Sequence, residues 1–251
     1  MRTPKLVYKD ILFRDALKEA APDGMYEVVD TSYTRKIKGS LKTIIIAPSF
    51  VGLGLIKLMG AFRAEVRKNM TDGKILMPAE PPEFSRCGPV RPRWQDAEEL
   101  DLSAAYLTAA LEIGAIGKGT YERVMKFHKT TRLKLVGSLG TRRSIHRYEA
   151  GRLVESHSEE EPTAPVWKAI QAEVDWVMRE AAGAAGKGFL YYWVDAIFCY
   201  RDVAERVRER VEGLGYRMKS ARVTMKADDR FIRLKDGRVF PKLYHLRKAA
   251  E

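Results

Sequence analysis

The chain predicts an α+β fold, an antiparallel sheet covered by helices on one face. Three observations carry that expectation. Residues 189–200 are almost wholly β-branched and aromatic, the composition of a β-hairpin or a buried strand pair. Helical periodicity stands on both sides of this run, with Val166, Ile170, Val174 and Val177 before it and Val203, Val207 and Val211 after it. A further strand and a hairpin complete the order helix, strand, helix, strand, hairpin, which suits a sheet with its helices on one side.

Taken in order, residues 1–40 mix short apolar groups with the turn Pro22-Asp23-Gly24 and lead into a basic segment, 35–42; a strand or two and a short helix are expected there. Residues 43–62 are long and apolar enough to span a bilayer. Pro48, three glycines and Lys57 interrupt them, so a buried strand and then a core helix running to residue 69 is the reading. Residues 77–94 hold five prolines and three arginines and predict an extended connector. From 98 to 119 a strand end carrying Asp101 gives way to a short helix stopping at Gly114.

Residues 120–143 read as one basic helix whose glycine-flanked end, Gly137-Ser138-Leu139-Gly140, suits a phosphate, although a solvated cationic face is the plainer account. Residues 144–164 form a hairpin or loop with an acidic run. Pro165 then opens an amphipathic helix over 166–182. A second helix stops at Gly213, a strand follows over 216–227, and Asp236-Gly237 marks a two-residue hairpin turn.

Composition bounds the function. With 45 basic and 33 acidic residues among 251, the net charge of +12 favours a polyanionic partner, nucleic acid or a membrane surface. The two cysteines, Cys87 and Cys199, suggest a reducing compartment and no disulfide framework. The four histidines lack metal-ligand spacing, and the charged start does not read as a secretory signal. The outstanding residue is Asp195, a lone carboxylate in an apolar hairpin, costly to bury unless paired, hydrogen-bonded or bound to a cation.

Three segments, in order, resemble motifs of family B DNA polymerases, most closely the protein-primed, phage-type branch. The run DLSAAYL from Asp101 resembles Asp-x-x-Ser-Leu-Tyr-Pro, KLVGSLG from Lys134 resembles the fingers motif Lys-x-x-x-Asn-Ser-x-Tyr-Gly with two residues missing, and YYWVDAI from Tyr191 resembles Tyr-x-Asp-Thr-Asp-Ser-Ile with Trp193 on the first acid. The resemblance covers about residues 85–240 and implies a polymerase palm with short helical fingers, without exonuclease or thumb.

It implies Asp101 and Asp195 as catalytic carboxylates and, with Leu102, as ligands of two Mg2+ or Mn2+ ions. It assigns nucleoside triphosphate contacts to Lys134, Tyr106, Leu102, Ser138 and Gly140. The nucleic-acid contacts expected are Arg91, Arg93, Arg142, Arg143, Lys226 and Arg230. The boundaries that follow are an N-terminal α/β region over 1–84, a first palm part over 85–110, reduced fingers over 111–143 and a second palm part over 144–251. The partners expected are primer-template DNA and a protein that replaces the thumb or acts as primer, in the cytoplasm of a bacterial or phage-infected cell. Two other readings stand beside this one: a palm-like nucleic-acid-binding replication accessory without catalysis, and a basic membrane-surface protein.

Overall fold

The computed structural model describes residues 5–7, 12–31, 34–46, 53–77 and 82–242. The fold is α+β, and the chain divides into two compact units, Met1–Gly73 with Thr130–Trp167 and Lys74–Lys129 with Lys168–Glu251.

The first unit holds a six-stranded sheet in the order β1 (Lys5–Val7), β4 (Thr43–Ile46), β3 (Arg35–Gly39), β2 (Tyr26–Asp30), β7 (Arg142–Glu149), β8 (Arg152–Glu160). Only β1 and β4 run parallel. Helix α1 (Phe13–Ala20) seats Ala16 and Ala20 on Ile37 and Ile44. A side chain at Gly39 would stand 2.1 Å from the Ala20 carbonyl oxygen, so only glycine lets strand and helix approach this closely. Residues expected to give a strand or two therefore give three. Helix α2 (Leu53–Thr71) turns Met59, Phe62 and Val66 inward.

Residues 144–160, expected in the second palm part, instead join this first sheet. The open edge of β2 accepts β7, and Tyr26 stacks on Tyr148 with ring centroids 4.6 Å apart. The expected single basic helix is two helices, α4 (Lys118–Met125) in the second unit and α5 (Lys129–Gly137). The Phe127 N–H reaches back three residues to the Val124 carbonyl, a tightened turn that ends α4.

The second unit holds a seven-stranded antiparallel sheet in the order β13 (Val239–Pro241), β12 (Phe231–Leu234), β11 (Met218–Ala227), β6 (Gln95–Leu102), β10 (Ala196–Cys199), β9 (Phe189–Trp193), β5 (Ser85–Cys87). The proline-rich connector thus contributes an edge strand, β5, paired to β9. The Asp236-Gly237 turn is a three-residue loop, closed by the Leu234 N–H on the Arg238 carbonyl, with Gly237 at φ 94°.

Side chains alternate across each strand, so Leu100, Ile197 and Tyr192 share one face. Helix α7 (Arg201–Glu212) packs over β6 and β11 on that face. Helix α6 (Ala164–Ala185) joins it, since its Asp175 accepts the Tyr192 hydroxyl at 3.0 Å and its Glu180 pairs with Arg210 of α7. The helices cover one face, as expected. On the other face Phe240 closes over Tyr191, Trp193 and Phe198. Both cysteines are free, and among the described residues no helix is long and apolar enough to cross a membrane.

Candidate active site

Hairpin β9–β10 turns through two residues, Val194 and Asp195, with Trp193 and Ala196 as its closing pair. Ala196 lies opposite Asp101 of β6, and the Leu102 N–H donates to the Asp195 carbonyl at 2.9 Å. Two acids 94 positions apart therefore stand at one end of two neighbouring strands. Asp101 is on the sheet face away from α6 and α7, and both carboxylates are half-buried.

The turn is held from outside. Val194 has φ 56°, which a β-branched residue adopts only under constraint. Its N–H donates to the Phe84 carbonyl at 2.8 Å. Phe84 itself has φ 62°, and its N–H donates to Asp175 Oδ1 at 2.9 Å. Asp175 is 1% exposed and has Arg179 at 3.3 Å, so α6 fixes the strap before β5 and the strap fixes the tip carrying Asp195.

Burial holds both carboxyls above their ordinary range. Burial pushes the Asp195 carboxyl up to about 6, the Asp101 charge pushes the same way, and its own N–H and Lys129 oppose them. Burial raises Asp101 as well, Lys129 opposes it, and Glu99 adds a smaller push in the same direction as burial. Among the described residues neither carboxylate forms an ion pair. Lys219, opposite Asp101 on β11, and Arg238 also pull the Asp101 carboxyl down, although Arg238 grips Glu99 through both terminal nitrogens at 2.6 and 2.7 Å and holds Asp236 as well.

Glu99 is a further acid inside β6 that the sequence reading did not single out. It sits two residues before Asp101 on the same face and is more deeply buried. The i, i+2 spacing in the run Glu98-Glu99-Leu100-Asp101 carried that signal. Its partner Arg238, 139 residues away, had none.

The remaining expected contacts divide. Leu102 turns a 2% exposed side chain to the helical face, leaving only its backbone for a metal or nucleotide. Tyr106 lies in the first turn of α3 (Ala105–Glu112), half-buried. Lys134 is on α5 in the first unit; the lysine whose charge acts on both carboxylates is Lys129, the first residue of that helix.

Ser138 and Gly140 do not fit a phosphate site. They follow the C-terminus of α5, which presents carbonyls rather than N–H groups. Ser138 is fully buried and donates to the Leu135 carbonyl at 2.7 Å, and Gly140 lies against the Trp167 ring. Arg142 and Arg143 belong to the first unit, where Arg143 pairs with Glu159. Arg91, Arg93, Lys226 and Arg230 belong to the second unit, where the Ala227 N–H, next to Lys226, donates to the Arg91 carbonyl at 2.9 Å.

Compared with models of protein families and with curated proteins, the chain matches none. The donor set is therefore the test of the implied metal. Among the described residues no cluster of three or more His, Cys, Asp or Glu is arranged to hold one. A carboxylate pair does fit Mg2+, which takes one or two protein carboxylates and completes its octahedron with water and substrate phosphate.

Proposed function

We propose that the chain is a minimal template-dependent DNA polymerase, a nucleotidyltransferase whose metal carboxylates are Asp101 and Asp195. One observation carries the reading: the β9–β10 turn brings half-buried Asp195 beside half-buried Asp101 of β6, where the two charges repel one another and neither acid forms an ion pair among the described residues. Burying such charge is unfavourable unless a cation arrives to share it. Divalent cations held there would lower the pKa of an attacking hydroxyl and stabilise the charge of the transition state.

The chain's own residues do the rest. Asp101 on β6 and Asp195 in the β9–β10 turn would hold the cations. Lys129 supplies a positive charge near both, suited to a triphosphate. The palm-like sheet, backed by helices on one side, leaves its carboxylate face to substrate, and the net charge of +12 favours primer-template DNA in the cytoplasm.

The second reading, a palm-like nucleic-acid-binding accessory without catalysis, has one observation in its favour. Trp193 packs on Phe240 where the resembled motif has its first acid, so the hairpin carries a single carboxylate. Primer extension separates the two. The wild type should incorporate nucleotides on a primed template with Mg2+ or Mn2+, and Asp195→Asn should lower the rate at least about 100-fold, the loss of several kcal/mol of charge stabilisation. Purified protein that binds DNA yet incorporates nothing with either metal would leave the accessory role.

A further inference from the structure

We propose that the end of the second sheet's α6–α7 face beyond the start of α7 binds a single-stranded polynucleotide. The β6–β11–β12 register puts Lys226 opposite Arg233, and the Lys226 ammonium lies 4.7 Å over the ring of Trp94, just before β6. Alternation then sets Arg222 of β11 and Phe231 of β12 on this same side. It is the face that α6 and α7 cover further along, and the opposite one to Asp101.

Two aromatics are exposed on it, Trp94 at 46% and Phe231 at 36%, two strands and on the order of 10 Å apart, each with a cation over one ring face, Lys226 on Trp94 and Arg233 on Phe231. Beside them is a cavity of about 360 Å³ whose charged lining is Arg201, Arg222, Lys235 and Asp236. Of the acids of the region, Glu98 stands opposite Arg222 across the β6–β11 pair and three others have partners. Asp236 holds Arg238 at 2.8 Å, Asp228 holds Arg233 at 2.7 Å, and Asp96 accepts the Thr224 hydroxyl at 3.2 Å. Arg201, Arg222 and Lys235 form no ion pair among the described residues, so three cations line the pocket, with Glu98 opposite Arg222 and Asp236 beside Lys235.

Aromatic faces interleaved with cations match the chemistry of an unpaired strand, whose bases stack on rings while its phosphates meet the charges. A duplex, with its bases stacked on one another, leaves Trp94 and Phe231 nothing to stack on. The inference is independent of the nucleotidyl transfer proposed above, because the carboxylates are on the other side of the sheet.

The test uses the full chain in EDTA, so that metal binding plays no part. The probe is a labelled oligothymidylate of about 16 nucleotides, compared with its RNA counterpart and with a duplex of the same length. The single strands should bind more tightly than the duplex and quench tryptophan fluorescence, and the quench should vanish in Trp94→Phe. Trp94→Ala with Phe231→Ala should weaken binding at least about five-fold with unchanged thermal melting. Arg222→Glu with Lys235→Glu should flatten the dependence of affinity on salt by about two phosphate contacts. Binding of either strand type upholds the proposal, and the preference names the strand. Duplex bound as tightly as single strand, or affinity untouched in the Trp94/Phe231 double variant, overturns it.

Discussion

Val194, Phe84 and Ala104 are three of the four non-glycine residues with positive φ among the described residues, and all three border the carboxylate pair. Such backbone costs on the order of 1–2 kcal/mol each and persists where the surroundings over-determine it. Val194→Gly should therefore hold or raise stability, by up to about 1 kcal/mol, in denaturant unfolding; a loss larger than that would mean the Val194 side chain packs to more effect than its backbone strains. Asp195 gives a pH prediction. Its carboxyl, ordinarily near 3.8, titrates at about 6 when folded. The folded chain then holds a proton that the unfolded chain has lost, so stability falls as pH rises from about 4 through 6 and stays lower above. Melting curves should show that fall in the wild type without metal and a flatter profile in Asp195→Asn, which should be the more stable protein at pH 7. Glu99→Gln leaves Arg238 half-paired beside Asp101 and should cost about 1–3 kcal/mol of stability.

At the scale of elements, the strap before β5 and helix α6 act as one support for the hairpin tip. Asp175→Ala removes the acceptor of the Phe84 N–H and of the Tyr192 hydroxyl and leaves Arg179 without its acid, a buried loss of about 3–5 kcal/mol. Asp175→Asn keeps one oxygen acceptor and should cost less, so ranking the three proteins by chemical denaturation tests whether Asp175 supports the turn. These elements show where the sequence was legible. The hairpin, α6 and α7 were readable because each carries its own period, aromatic and β-branched in the strands and three to four residues in the helices. Asp195 stood out as a charge in an apolar run. What could not be read depends on partners distant along the chain: β5 is a strand only because β9 offers its edge, β7 and β8 join the first sheet through β2, and Glu99 is tolerable inside only with Arg238. The expected phosphate loop at 137–140 misled because glycine spacing does not say which end of a helix it follows.

For the whole molecule, the central claim is that folding brings Asp101 and Asp195 to one site where, among the described residues, neither forms an ion pair, and that divalent metal binds there. The +12 charge then serves association with polyanions and should make DNA binding fall steeply as salt rises. Metal binding to the folded chain alone adds stability by mass action, about 2.7 kcal/mol at a concentration 100 times the Kd. The most direct measurement is Mn2+ binding, followed by electron paramagnetic resonance and by the melting temperature, in the wild type, Asp101→Asn and Asp195→Asn. The account predicts that the wild type binds Mn2+ and melts higher in its presence, and that either substitution removes both effects while the metal-free proteins remain folded. Equal Mn2+ binding in all three proteins, or none in the wild type at millimolar metal, would contradict it.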